Sequence, residues 1–356
     1  MSKNIVTYAK HVISLFTEIE AVEGAEKIRI KPSEDTDVFK EELAVFRGTK
    51  LHSQANLIHN VKIGTYNNNL FVITNVDDYL KEIVESQLGS FGILKTEITC
   101  PLFITITKDL NLKINPNKKL FIKDSILSQH NDPTYLGHDW EELLECIEPF
   151  SVFKLSDDCI YNHSDLFQLG YLTYSYISPI INDRIAPIID QYRNLLLLSS
   201  SIPKENIFFS FTSTHWPHAF LELYRCIEKI YKIPSTIKLK QEIGYAGQAK
   251  DLARHCNDIL SWRKNHSESL KQLLSDIDES DLLATKISES TPFSNCIEDG
   301  KVDIERVSNT LYSIRNQLVH QPEGNIIELN DNDWIKAIEF IIFSCTKLYI
   351  KYSNEL

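Results

Sequence analysis

The side chains best suited to chemistry lie near the end of one amphipathic segment, Asp303–His320. An arginine, Arg315, can present a two-pronged set of N–H donors to a phosphate. Five residues later, His320 supplies the side-chain type that most readily moves protons near neutral pH. Between them, Asn316 could orient either one. These residue types suit phosphodiester chemistry, which needs no metal if the nucleophile is an RNA 2′-hydroxyl.

This segment is predicted to be a helix, because its apolar residues recur at helical spacing. They are Ile304, Val307, Leu311, Ile314 and Leu318. On the same wheel Arg315 falls about 20° from Ile304, at the edge of the apolar stripe. A guanidinium there needs a partner or an anion, because burying it unpaired is unfavourable.

The spacing of Arg315 and His320 does not aim both at one point on an ideal helix. Five residues correspond to about 140° around the axis, whereas Asn316 and His320 are four apart and share a face. One chain could bring Arg315 and His320 together if the helix ends at His320, before Pro322. Two copies packed about a two-fold axis could also do so.

The run from Arg315 to His320, RNQLVH, resembles the Arg–(four to six residues)–His motif of HEPN domains. Members of that family often carry a polar residue directly after the arginine, as Asn316 is here. HEPN domains are small helical bundles with the motif near the end of a late helix, followed by one more helix. The segment Ala219–Tyr231 resembles their early helix. The resemblance covers residues 201–356.

The resemblance implies a metal-independent endoribonuclease that acts as a homodimer, with both motifs in a shared cleft. By this resemblance His320 is the proton-transfer residue, Arg315 binds the phosphate and Asn316 is an orienting residue. Many such proteins are toxins or abortive-infection effectors in bacterial antiphage defence, and they cleave tRNA or other RNA. One branch partners a nucleotidyltransferase and carries a tyrosine two residues past the histidine. The residue here is Pro322, which disfavours that branch.

Glu228 is the fourth residue predicted for the catalytic site. It lies about 20° from Leu221 on a predicted helix that begins at Pro217, beside the apolar stripe. There it could pair with Arg315 and hold the guanidinium. The alternative is an exposed carboxylate beside Lys229.

Other histidines have weaker patterns. Arg47 and His52 repeat the five-residue spacing in a glycine-containing segment, and we assign them no role. His215 and His218 have metal-like spacing but lack a second ligand pair, so no metal site is expected. The sequence contains no GxxxxGK[ST], GxGxxG, HExxH or GxSxG motif, and no cofactor is expected.

The composition of the chain limits its binding partners and its cellular compartment. The 356 residues carry a net charge of −12, so any contact with RNA must come from a local site. Seven scattered cysteines without a CxxC pair are typical of free thiols in a reducing cytoplasm. The first residues lack the apolar core of a signal peptide, and no apolar run is long enough to span a membrane. We therefore expect a cytoplasmic protein without membrane contact.

The helices and strands predicted along the chain indicate an α+β protein with two domains, 1–200 and 201–356. In the first, four short apolar runs read as strands: 27–31, 69–76, 101–107 and 118–123. Residues 66–69 are predicted to form a hairpin tip and 77–87 a helix. Helices dominate from about residue 139, including one over 183–198.

The second domain is predicted to be an all-α, HEPN-like bundle. Pro217 would begin a helix that Pro234 ends, and a further helix would cover 238–264, weakened near Gly244. The last helix, from Asp331 to about Tyr352, is apolar on much of its circumference. It is either the centre of the bundle or partly a subunit interface.

Two functions follow from this reading. The first is an antiphage toxin or effector that cleaves RNA at the dimer interface, with residues 1–200 sensing a trigger, binding an inhibitor or guiding substrate. The alternative is a non-catalytic HEPN-like module for dimerisation or nucleotide binding within a defence or regulatory complex. In that case Arg315 and His320 would hold a nucleotide or a structural salt bridge.

Overall fold

The structure is a computed structural model. It describes residues 3–20, 23–31, 36–56, 61–76, 87–129, 132–161, 165–198, 201–260, 266–278, 292–293, 295–299, 301–320 and 328–356. Over these residues the chain is mixed α+β and mostly helical, which confirms the α+β part of the predicted fold class. It has thirteen α-helices of at least five residues and a five-stranded antiparallel sheet. The chain divides into two compact units, 1–177 and 178–356.

The N-terminal unit is built on the sheet, whose strand order is β1-β2-β3-β5-β4. The strands are β1 (Leu51–Asn56), β2 (Lys62–Tyr66), β3 (Leu70–Thr74), β4 (Ile93–Lys95) and β5 (Phe150–Leu155). The helices are α1 (Ile5–Thr17), α2 (Thr36–Gly48), α3 (Cys100–Asp109), α4 (Trp140–Leu144) and α5 (Leu166–Ile181), of which residues 166–177 belong to this unit.

The predicted hairpin between β2 and β3 is confirmed. Tyr66 pairs with Leu70 and Ile63 with Ile73. At the tip Asn67 has φ of 53°, in the left-handed region that asparagine tolerates better than most residues.

Both faces of the sheet are covered. Phe16 of α1 and Phe103 of α3 belong to the same buried core as Val72 and Val152 of the sheet. On α5, a Cβ added at Gly170 would lie 2.9 Å from the Ile63 Cγ2 atom. The absence of a side chain at Gly170 therefore lets α5 pack close to the sheet.

The strand predicted over 101–107 is wrong, because this segment lies inside α3. All seven of its residues are buried. A helix buried on every side shows no apolar period that would separate it from a buried strand. The Thr105 and Thr107 hydroxyls donate to the carbonyls of Pro101 and Phe103, at 2.6 and 2.8 Å, and so remain satisfied within the helix.

Two more predicted strands are wrong. Residues 118–123 enter a helical turn, Lys119–Phe121, that continues as a π-helix over Ile122–Ile126. Its buried residues, Ile122 and Ile126, are four apart, a period that the six-residue run was too short to reveal. Residues 27–31 form only an isolated bridge, from Ile30 to His138. The helix predicted over 77–87 lies almost entirely outside the described residues.

Over its described residues the C-terminal unit is helical apart from the two-residue strands β6 (Ile297–Glu298) and β7 (Lys301–Val302). After a 3₁₀-helix over Asp183–Ile188, its helices are α6 (Ile189–Leu196), α7 (Lys204–Thr212), α8 (Trp216–Glu228), α9 (Ile233–Ile243), α10 (Ala249–Leu260), α11 (His266–Ser275), α12 (Ile304–His320) and α13 (Asp331–Lys351). Helix α8 packs against α7, α11, α12 and α13.

The units divide at 177/178, whereas the sequence placed the boundary at 200/201. The intervening helix α6 packs against α7 and α13 of the C-terminal unit. The hydroxyls of Tyr192 and Ser210 share a buried hydrogen bond of 2.7 Å that ties α6 to α7. The single helix predicted over 183–198 is a 3₁₀-helix followed by α6.

Two helix boundaries in this unit differ from the prediction. Gly244, with φ of 65°, ends α9, so the described part of the predicted helix, 238–260, belongs to two helices. Pro234 lies in the first turn of α9 and does not end α8, since the first turn is where a helix tolerates proline.

The last helix is capped as its polar start suggested. Asn330 is the N-cap and exchanges hydrogen bonds with Asp333 in a capping box. The residues Trp334, Ile338 and Ile341 are buried within the unit. No helix among the described residues is both long and apolar enough to cross a membrane.

Candidate active site at Arg315 and Glu228

Helix α12 positions Arg315 through its apolar stripe. Val307, Leu311 and Ile314 are buried, which fixes the rotation of the helix about its axis. Arg315 directly follows Ile314, and its side chain is 20% exposed. The predicted helix is confirmed, with His320 as its last described residue.

Arg315 is paired with Glu228, the last residue of α8. The Arg315 Nη2 atom lies 3.3 Å from the Glu228 Oε1 atom, and the Glu228 side chain is 23% exposed. Of the two alternatives that the sequence left open for Glu228, the structure has the pairing with Arg315 and not the exposed carboxylate. A largely shielded guanidinium thus has the acidic partner that its position on α12 requires.

Asn316 orients the same guanidinium. The Arg315 Nη1 atom donates to the Asn316 Oδ1 atom at 3.1 Å. The two terminal nitrogens of Arg315 are therefore engaged by Glu228 and Asn316. Since a guanidinium carries five N–H donors, donors remain for a further acceptor.

A histidine that the sequence did not single out faces the same carboxylate. His266, at the start of α11, has its Nδ1 atom 3.8 Å from the Glu228 Oε1 atom. That oxygen is shielded from solvent and accepts no hydrogen bond of good geometry from the described residues. It lies within reach of both a guanidinium and an imidazole, a position from which it can hold either. No local pattern around His266 marks it, because the contact depends on how α8 and α11 pack.

Two buried tyrosines lie next to this group. The Tyr231 hydroxyl donates to the Tyr224 hydroxyl at 2.7 Å, and the ring of His266 meets that of Tyr231 edge-on. Burial raises the pKa of both tyrosines well above the ordinary value. The charge of Glu228 adds to this rise, and that of Arg315 opposes it. Both hydroxyls therefore stay neutral near pH 7.

The structure does not join His320 to this group within one chain. His320 is exposed at the end of α12. No hydrogen bond or ion pair links it to Arg315, Asn316 or Glu228 in the part of the chain that is described. Of the four predicted site residues, three are thus in contact and the fourth stands apart.

The two other histidine-containing pairs, His215 with His218 and Arg47 with His52, are not part of this group of residues. The rings of His215 and His218 contact each other edge-on, 5.9 Å between centroids. Across the described residues, no three His, Cys, Asp or Glu side chains converge as a metal site requires. Arg47 belongs to α2 and His52 to β1, in the N-terminal unit.

No protein-family profile, curated protein or solved structure matches this chain. The HEPN resemblance therefore stays a prediction, carried by the motif and by the order of the helices around it.

Proposed function

We propose that the C-terminal unit is a HEPN-like bundle and that the protein is a metal-independent endoribonuclease. The observation that carries the proposal is the Arg315 guanidinium, held on α12 by Glu228 of α8 and by Asn316. The helix order supports it, because the motif ends a late helix that one further helix follows. The early helix predicted by the resemblance corresponds to α8.

The reaction uses the RNA as its own nucleophile. Arg315 binds the scissile phosphate through its remaining N–H donors and stabilises the charge that develops there. A histidine removes the 2′-hydroxyl proton as that oxygen bonds to phosphorus. The bond from phosphorus to the 5′-oxygen breaks and that oxygen takes up a proton from a protonated histidine, so the products are a 2′,3′-cyclic phosphate and a 5′-hydroxyl end. In this proposal His320 makes the proton transfer.

A homodimer completes the site. His320 does not contact Arg315 within one chain, and the two side chains leave α12 in directions about 140° apart. A two-fold axis along α12 brings Arg315 of one protomer near the partner's His320 and repeats the arrangement in the second site. The substrate is RNA, either tRNA or another cellular or phage RNA. The biological role is that of a toxin or effector in antiphage defence.

We infer that the N-terminal unit restrains or directs this activity, because a free ribonuclease harms its host. It would recognise a trigger, an inhibitor protein or part of the substrate. Constitutive cleavage by the full chain, without trigger or partner, would contradict the restraint.

A cleavage assay tests the proposed enzyme. Full-length wild type, His320→Ala and Arg315→Lys are each incubated with total RNA and tRNA in EDTA. We expect cleavage by wild type, none by His320→Ala and little by Arg315→Lys, because an ammonium cannot replace the two-pronged guanidinium. The matched control is His255→Ala, an exposed histidine on α10, which should cleave like wild type.

The chemistry of the cleaved ends and the activities of the variants distinguish the possible outcomes. Cleavage ends should carry a 2′,3′-cyclic phosphate. Equal cleavage by wild type and His320→Ala would place the activity outside this site. Near-normal activity of Arg315→Lys would contradict direct phosphate contact.

The non-catalytic module remains the second candidate, and one observation favours it. Glu228 neutralises Arg315 within one chain, and His320 stands apart, as expected for a structural salt bridge. Expression in cells distinguishes the two functions. A toxin slows growth and His320→Ala relieves the effect, whereas a binding module shows no difference between the two proteins.

A further inference from the structure

Positive charge is concentrated in one cavity of the C-terminal unit. The cavity has a volume of about 710 Å³ and opens beside Glu228. Its described lining includes Lys229, Lys232, Lys250, Arg254 and His266. Among those lining side chains Glu228 is the one carboxylate. The chain as a whole carries a net charge of −12, so the cavity is opposite in sign to the chain's net charge.

The cations come from two segments of the chain. Lys229 and Lys232 follow the end of α8, three residues apart. Lys250 and Arg254 are four apart on α10 and so share one face of that helix. The Lys232 Nζ atom donates to the Asn257 Oδ1 atom at 2.7 Å, which links the segment after α8 to α10. Cations thus line the cavity from both segments.

Acidic side chains pair with only part of this set. Arg254 has Asp251 only at 3.9 Å, and Lys250 donates to the main-chain oxygen of Leu356. Lys229 is exposed and makes no ion pair within the described residues. Like charges that converge in this way repel one another, and a concave site in which positive charge predominates concentrates counter-ions of the other sign.

We propose that this cavity binds a phosphate group, carried by a nucleotide or a polynucleotide. Three properties match the ligand. Lysine and arginine donors form charge-assisted hydrogen bonds with phosphate oxygens. The volume falls within the range of about 300–1,000 Å³ that small-ligand sites occupy. The half-exposed His266 ring, which contacts the buried Tyr231 ring edge-on, adds an aromatic surface on which a base could stack.

The position of the cavity relates it to the proposed active site. Glu228 belongs to both, because it lines the cavity and pairs with Arg315. The Glu228 carboxylate would then lie between a phosphate bound here and the Arg315 guanidinium. The inference nevertheless goes beyond RNA cleavage, since binding in the cavity requires neither Arg315 nor His320.

The test uses a fluorescein-labelled, single-stranded deoxyoligonucleotide, which lacks the 2′-hydroxyl and so is not consumed. Its binding to the full chain is followed by anisotropy as the salt concentration rises. The cavity variant is Lys229→Ala/Arg254→Ala. The matched control, Lys238→Ala/Lys301→Ala, removes the same charge from exposed positions outside the cavity lining. Thermal unfolding checks that both variants are folded.

We expect the cavity variant to bind at least about tenfold more weakly, since each hydrogen bond from a charged group contributes about that factor. Loss of two phosphate contacts should also flatten the slope of log affinity against log salt concentration by about 1.4. The control variant should keep the wild-type affinity and slope.

Competition identifies the source of the phosphate. Displacement of the probe from wild type by inorganic phosphate supports a site for the free group. Displacement only by unlabelled oligonucleotide supports a site for a polynucleotide backbone. No binding by wild type, or equal weakening of both double variants, would overturn the proposal. Because the probe cannot be cleaved, absence of ribonuclease activity would leave this result interpretable.

Discussion

Replacing Glu228 by glutamine tests whether the ion pair with Arg315 holds the site together. The amide keeps the shape of the carboxylate and removes its charge. The two side chains are 3.3 Å apart at their closest charged atoms, and each is about four-fifths shielded from solvent. Coulomb's law at this distance gives about 5 kcal/mol for an effective dielectric constant of about 20. Desolvation and lost side-chain freedom offset much of that gain.

We therefore expect Glu228→Gln to lower the free energy of unfolding by about 2 kcal/mol. For a unit of this size, that corresponds to a melting temperature about 4–8 °C lower. The assay is a double-mutant cycle by urea unfolding with Glu228→Gln, Arg315→Gln and the double variant. The coupling between the two residues should be about 1–3 kcal/mol, because the double variant leaves no unpaired charge.

A control pair that joins α12 to α11 makes the result specific. Glu305 pairs with Lys271 at 2.7 Å, but these side chains are 64% and 40% exposed. Glu305→Gln should change stability by less than about 1 kcal/mol, since solvent screens such pairs. Coupling between Glu228 and Arg315 below about 0.5 kcal/mol would refute the view that the carboxylate fixes the guanidinium.

Two further predictions concern the frame around the site. Lys204 is buried and donates to two carbonyls at the end of α6, so Lys204→Met should lower the free energy of unfolding by about 1–3 kcal/mol. An unchanged urea midpoint would contradict this role. The hydrogen bond from Lys240 holds the pKa of Glu355 below its usual range. A carboxyl with a lowered folded-state pKa stabilises the fold above the ordinary glutamate range and loses that effect as pH falls through its folded pKa. Glu355→Gln should therefore have a lower melting temperature than wild type at pH 7. This difference in melting temperature should shrink as the pH falls, and a difference independent of pH would contradict the stabilising role of the Glu355 carboxylate.

Helices with one buried face were predictable from the sequence. In α12 the residues Val307, Leu311 and Ile314 are buried, and the flanking polar residues complete a helical period. The same period on α8 placed Glu228 at the edge of its apolar stripe, from where it could pair with Arg315, but whether it does so depends on how α8 and α12 pack. Both placements depend only on local geometry, because a helix repeats its faces every 3.6 residues.

Segments buried on all sides were not predictable in this way. The run over 101–107 is apolar or hydroxyl-bearing throughout, and its β-branched residues suggested a strand. In the structure it is helix α3, covered by α1 and α2. Helices that cover a segment on every side remove the polar face that would have revealed its period.

The composition of the site was decided by tertiary structure. The contact of His266 with Glu228 joins two helices that are far apart in sequence, and the cationic cavity draws residues from the segment after α8 and from α10. The separation of His320 from Arg315 follows from where α12 ends and which of its faces is buried. The sequence by itself determined which residues share a helix face, since that depends on backbone geometry alone. Only packing could determine which faces meet, because that depends on the burial of all the helices together.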